Sequence, residues 1–245
     1  MVTGAHQGVG LEVATKLAAN GVTVYLGSRD LARGEIATAG IPTGATAIQL
    51  DVTDLASIAA AAERIRAEHG RLDLLVSNAG ISNTRTDSTS TPEEMAASST
   101  ASTASLDEVR AIWDVNVFGV LAVYQAMLPL LRQSSDARIV NVSSGVGSPA
   151  SNADPTFSYR LAYGLGYAAS KTAENAMTLA MMIELEQSDI KINLVSPGFT
   201  STALNNFAGT ESIEDGSREV VRVALLGPDG PTNTFTRWED STIAW

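Results

Sequence analysis

A tyrosine and a lysine four residues apart, in Tyr167-Ala168-Ala169-Ser170-Lys171, carry the chemistry most readily read from this sequence. On a helix the two positions share a face, so phenol and ammonium can point into one pocket. A phenol is a poor base at its ordinary pKa near ~10. A neighbouring cation favours the phenolate and lowers that value. Tuned in this way, a tyrosine can give a proton to a carbonyl oxygen or take one from an alcohol. Upstream, the apolar run Ile139–Val142 ends in Ser143 and Ser144. A hydroxyl there can polarise a substrate oxygen and aim it at the phenol, or simply bond local backbone at a strand end.

A glycine loop near the start supplies a second kind of site. Thr3-Gly4-Ala5-His6-Gln7-Gly8-Val9-Gly10 leads into a helical pattern. Glycines there permit a tight turn and let a pyrophosphate approach the backbone, and the helix N-terminus offers unpaired N–H groups and a positive dipole end. Gly4, Gln7, Gly8, Val9 and Gly10 are therefore candidate nucleotide contacts. An enzyme that prefers NAD usually carries an acid about 20 residues further on, accepting from the ribose 2′-OH. Here the next strand ends Leu26-Gly27-Ser28-Arg29-Asp30. Ser28 is small and neutral, and Arg29 offers a charge-assisted fork to a 2′-phosphate. The expected cofactor is NADP(H). NAD(H) is the alternative, should Asp30 turn inward, and Gln7 adds no second basic contact.

The spacing TGxxxGxG, followed in order by further motifs, resembles the short-chain dehydrogenase/reductase family over almost the whole chain. The resemblance implies that Asp51 and Val52 contact the adenine and that Asn78-Ala79-Gly80 stabilises the sheet beside the cofactor. It makes Ser144, rather than Ser143, the catalytic serine. It gives Lys171 a hydrogen bond to the nicotinamide ribose in addition to its effect on Tyr167. Asn116, in Asn116-Val117-Phe118-Gly119, would bend its helix and hold a relay water. Pro197, Gly198, Thr200 and Thr202, in the segment Ser196–Thr202, would contact the carboxamide. The implied activity is reversible hydride transfer between NADPH and a ketone or aldehyde, with Asn116, Ser144, Tyr167 and Lys171 catalytic. A nucleotide-binding redox sensor without catalysis is the rival, although such relatives typically lack the Tyr or the Lys. The inserts and the closing region most resemble monomeric carbonyl reductases and plant terpenoid and alkaloid ketone reductases, so a monomer is favoured over a homo-oligomer.

These residues need a scaffold that brings them to one edge. Short β-branched runs alternate with helical stretches, the pattern of a parallel sheet with crossover helices. Strands are expected at Val22–Leu26, Ala47–Leu50, Leu72–Ser77, Arg138–Val142, Lys191–Val195 and Thr234–Arg237. Helices are expected at Leu11–Ala19, Leu55–His69, Leu106–Tyr124 continuing to Leu131, and Tyr167–Glu186. The expected fold is a doubly wound Rossmann-type α/β domain over residues 1–245, with about seven parallel strands. Ile81–Ser105 reads as an inserted loop with a helical turn around Pro92–Ala97, and Ser148–Gly166 as a second insert. Only Met1-Val2 precede the glycine loop, so the central strand is expected to be short and weakly held.

Composition excludes several alternatives. The chain contains no cysteine, so disulfides and thiolate chemistry are absent, and two histidines do not suggest a metal site. A net charge of −11 disfavours nucleic acid and anionic membranes. No apolar run of spanning length and no signal peptide are read from the sequence, and a cytoplasmic location with a small-molecule substrate is expected.

Overall fold

The computed structural model describes residues 1–84 and 99–245. Its strands are β1 (Val24–Ser28), β2 (Ala45–Gln49), β3 (Leu74–Ser77), β4 (Arg138–Val142), β5 (Lys191–Val195), β6 (Phe235–Arg237) and β7 (Ser241–Thr242). β2 pairs with β1, and β3 through β6 pair in sequence, all parallel. Val2 joins the two groups, bridging Leu26 on one side and Val76 on the other. Chain progression therefore reverses at Val2, the switch point where open α/β sheets bind ligands beyond the carboxyl ends of their strands. The expected parallel sheet ends differently at one edge: β7 returns antiparallel, pairing Thr236 with Thr242.

The short central strand is held on both sides. Val2 N–H donates to Tyr25 O and Gly27 N–H donates to Val2 O, while Val76 N–H donates to Met1 O and Thr3 N–H to Val76 O. Met1, Val2 and Thr3 are all buried.

Helices cover both faces, and the strands show why. Leu75, Ile139 and Ile192 point to one face, and Val76, Val140 and Val195 to the other, as strand alternation dictates. The first face meets α3 (Leu55–His69), α5 (Val120–Leu131) and α7 (Tyr167–Leu185) through Ile58, Ile65, Met127, Leu131, Met181 and Leu185. The second meets α1 (Gly8–Ala19) and α8 (Ile213–Ala224) through Val13, Leu17, Val220 and Val223. Asp30 and Asp54 cap α2 (Leu31–Ala39) and α3, and Ser212 caps α8.

Some expectations change, and one falls outside the described residues. The long helix expected from Leu106 is interrupted: α4 (Leu106–Trp113) passes through a π turn at Asp114–Gly119 before continuing as α5. Read together, Leu106–Leu131 is long and apolar enough to cross a membrane by length and composition, with half of its most apolar stretch buried in this fold. Its charged residues, Asp107, Glu108, Arg110 and Asp114, all lie in its first nine residues. The helical turn expected at Pro92–Ala97 lies outside the described residues. The second insert holds a short helix, α6 (Pro149–Ala153), and a 3-10 turn at Arg160–Ala162. Several boundaries move by one to three residues, α1 beginning at Gly8 and β3 at Leu74.

Candidate active site

The glycine loop is pinned by the segment after β3. Thr3 Oγ1 accepts from both Asn78 N–H and Ala79 N–H, each at 2.9 Å. The Asn78 amide returns two bonds, to Thr3 O at 3.0 Å and Gly4 O at 3.2 Å. Gly10 must be glycine for contact reasons, since a Cβ there would lie 2.3 Å from Asn78 Nδ2. Gly8 adopts φ +60°, and a Cβ on it would lie 3.7 Å from Thr202 Cγ2, so the loop and the segment after β5 face each other. Gln7 is the N-cap of α1 but makes no capping hydrogen bond, and no acid occupies the first turn. The N–H groups at this helix end are thus left to an outside anion, which fits the pyrophosphate expected there. Val9 is half-buried, packed against the α1 face of the core.

At the end of β1 the expected roles are partly redistributed. Ser28 is fully buried, and its hydroxyl donates to Asp30 O at 2.7 Å, so its side chain supplies space rather than a contact. Arg29 is exposed. Asp30 does not turn inward: its carboxylate accepts from Arg33 N–H and pairs with the Arg33 guanidinium at 3.5 Å. Arg33 and His6 are additions that the sequence reading missed. Burial pushes the His6 imidazole below its ordinary value, and the charges of Arg33 and Arg29 push it the same way. Two arginines, Arg29 and Arg33, therefore stand near His6, with Asp30 among them acting on the imidazole in the opposite sense. Arg33 was hidden because it lies one turn into α2.

Asp51 and Val52 also differ from a simple contact pair. Asp51 Oδ1 accepts from Thr53 N–H and Oγ1–H. Val52 is buried, and a Cβ on Gly119 would lie 2.8 Å from its Cγ2. Its side chain packs against the π turn, which leaves backbone as its means of touching an adenine.

The two serines after β4 separate cleanly. Ser143 is buried, its hydroxyl donating to Asn175 Oδ1 at 2.5 Å. Ser144 is partly exposed, and it acts on the Tyr167 phenol in the direction that favours the phenolate. The turn carrying Ser144 rests directly on α7. Thr172 Oγ1 donates to Gly147 O at 2.8 Å, and a Cβ on Gly147 would lie 2.7 Å from Lys171 Cβ. Ser196 Oγ accepts from Gly145 N–H at 3.0 Å, which ties the same turn to the end of β5.

Lys171 is buried, with Nζ 5.9 Å from the centre of the Tyr167 ring. The ammonium donates to Val142 O at 2.9 Å and to Glu174 Oε2 at 2.7 Å. Burial raises the Tyr167 phenol above its ordinary value; Lys171 opposes that rise, Glu174 adds to it and Ser144 opposes it. For Lys171, burial favours the neutral amine, but the adjoining Glu174 and Tyr167 outweigh it and hold the ammonium. Burial raises the Glu174 carboxyl, against the pull of Lys171.

Asn116 sits in the π turn and is fully buried. Its amide donates to Ile81 O at 2.8 Å and Ser170 Oγ at 2.9 Å, and its oxygen accepts from Ile81 N–H at 2.9 Å. Both amide hydrogens are thus spent on protein, fixing the chain just after Gly80. Gly80 borders the same site: a Cβ there would lie 3.4 Å from Asn116 Oδ1 and 3.7 Å from Lys171 Nζ.

After β5, Thr200 is buried and donates to Pro197 O at 2.8 Å, closing the turn through Gly198. Thr202 caps a 3-10 turn at Ala203–Asn205 and faces the glycine loop through Gly8. The Phe199 ring lies 6.0 Å from Tyr159 of the second insert, giving that side an aromatic wall. Residues expected from five separate motifs thus gather beyond the carboxyl ends of the strands.

Residues 1–212 match the family described as short chain dehydrogenase. A short-chain dehydrogenase of Penicillium roqueforti (strain FM164), anuI, is 35% identical over 249 residues, covering 98% of this chain and 92% of that protein. Salutaridine reductase from Papaver somniferum has a solved structure with a TM-score of 0.79 at 27% identity, covering 96% of this chain and 97% of that one. The NADPH-bound carbonyl reductase from chicken fatty liver has a TM-score of 0.80 at 25% identity, covering 100% and 97%.

Proposed function

We propose that this chain, which belongs to the short-chain dehydrogenase family, transfers hydride between NADP(H) and a ketone or aldehyde, with Tyr167 as general acid and base. An oxidoreductase acting on alcohol or carbonyl groups follows from the family; the dinucleotide, the direction and the residue roles are the proposal. The observation that carries it is the turn bearing Ser144, packed at the end of β4 onto α7 through Thr172 Oγ1 and Gly147 O at 2.8 Å, beside Lys171, whose Nζ lies 5.9 Å from the centre of the Tyr167 ring.

When bound, the dinucleotide supplies or accepts the hydride. Gly4, Gly8 and Gly10 with the α1 N-terminus would hold its pyrophosphate, and Arg29 with Arg33 and His6 its 2′-phosphate. Asn78-Ala79-Gly80, Pro197, Gly198, Thr200 and Thr202 would shape the remaining wall, with Asp51 and Val52 beside the adenine. On the substrate side, the Ser144 hydroxyl would donate to the carbonyl oxygen and fix its position. The Tyr167 phenol would then deliver the proton to that oxygen in reduction, or remove it in oxidation. Lys171 would stabilise the phenolate left behind. Asn116 would keep Ile81 and Ser170 in register around the pair. Carbonyl reductase among the structural relatives, together with the Tyr159–Phe199 wall, supports a carbonyl substrate with apolar bulk.

The test is to mix the protein with NADPH and a panel of ketones and aldehydes and follow the nicotinamide absorbance. Oxidation of NADPH by at least one carbonyl is expected. Tight NADPH binding with no oxidation across the panel would favour the sensor reading. We also read residues 1–245 as one unit acting as a monomer. Leu179 and Ile183 leave an apolar strip on α7, so a dimer mass in light scattering would overturn the monomer.

A further inference from the structure

Glu174 has no part in the scheme above, yet it lies at the centre of the site. It is 0% exposed, one helical turn from Lys171, and its Oε2 accepts from Lys171 Nζ at 2.7 Å. Its other oxygen, Oε1, is buried and has no hydrogen-bond partner among the described residues. An i,i+3 ion pair on a helix is ordinarily a surface feature. Taking both charges out of water is expensive and seldom improves stability over apolar packing. Such a pair, with its ammonium 5.9 Å from the centre of the Tyr167 ring, therefore calls for a chemical reason.

We propose that Glu174 is a positioning residue for proton transfer, holding Lys171 by one N–H and setting through its charge the pH at which Tyr167 loses its proton. This deepens the function proposed above and rests on it. Lys171 has three donors; Val142 O and Glu174 take two, which orients the third. Among the described residues, the titratable and charged groups that act on this centre are Tyr167, Lys171 and Glu174 themselves, all on α7. The elements packed against them bring Ser144, Gly147, Val142, Asn116 and Gly80, none of which is charged. Glu174 consequently cancels part of the pull by which Lys171 draws Tyr167 toward phenolate. The phenol stays protonated to higher pH, the state that donates to a carbonyl, so the site is biased toward reduction.

Glu174→Gln tests this, because the amide keeps an acceptor for Lys171 and removes the charge. The readout is the pH dependence of kcat/KM in the full-length protein, for a carbonyl found by the panel and for its alcohol. The alkaline fall of reduction and the rising limb of oxidation should both move down by about one pH unit. Should that variant fail to fold, Glu174→Asp withdraws the charge by one methylene, and both limbs should move down by a smaller step. Limbs that stay in place, or move up, in whichever variant folds would overturn the role of Glu174. A wild-type protein without carbonyl activity, or one whose activity survives Tyr167→Phe, would instead overturn the function on which this role rests.

Discussion

The glycine loop and the Tyr167 centre are built by opposite means. The loop is backbone held by two neutral side chains: Thr3 Oγ1 and the Asn78 amide bond main-chain groups, and Gly10 fits because it lacks a side chain. The Tyr167 centre is assembled from buried polar side chains, with Lys171, Glu174, Asn116 and Ser143 all enclosed. One region depends on shape and on neutral hydrogen bonds to main chain. The other depends on the charge of individual atoms. Damage should therefore appear as lost stability in the first and as lost turnover in the second.

Apart from Tyr167 itself, the largest predicted effect is catalytic. Ser144→Ala should lower kcat for carbonyl reduction by about 100-fold, measured at saturating NADPH, while thermal stability stays close to wild type. A variant that melts early instead would blur the division between the two regions. Next comes the loop. Gly10→Ala puts a methyl into Asn78 and should destabilise by about 1–3 kcal/mol, read as a fall in Tm of several degrees. A wild-type Tm would mean that the Asn78 amide moves aside at no cost.

Smaller effects sharpen the contrast. Arg29→Ala should raise the KM for NADPH by about tenfold and leave that for NADH nearly unchanged; equal changes would remove Arg29 from 2′-phosphate recognition. Ser143→Ala deprives the buried Asn175 oxygen of its donor and should cost about 1 kcal/mol or somewhat more, with kcat kept within a factor of a few. That variant beside Ser144→Ala asks whether two adjacent hydroxyls at one strand end really serve the two different purposes.

Much of this arrangement was legible beforehand, for identifiable reasons. Glycine spacing announces a loop because only glycine fits where backbone meets backbone, as at Gly10 and Asn78. Tyr167 and Lys171 announce themselves because four residues is one helical turn. Ser143 and Ser144 could not be separated by residue type, since strand alternation gives adjacent residues opposite faces and the sequence does not say which face holds Asn175. Glu174 carries no signal in the sequence, because burial is a property of what packs against α7. Asp30 had two possible directions until α2 claimed its carboxylate as a cap. Ser28 stood at the position of recognition, yet Arg33, a turn further on, joins Arg29 near His6. The central strand seemed too short to hold, but pairing on both sides depends on β1 and β3, which no local pattern at Met1-Val2 records.

The claim that Tyr167 moves the proton is tested most directly by Tyr167→Phe, with NADPH affinity and NADPH-dependent carbonyl reduction measured on the same preparation. The phenylalanine keeps the ring and removes only the hydroxyl. Turnover should fall by at least about 100-fold while NADPH binds within a factor of about two of wild type, well inside the tenfold that corresponds to about 1.4 kcal/mol. Turnover that survives the substitution would contradict it.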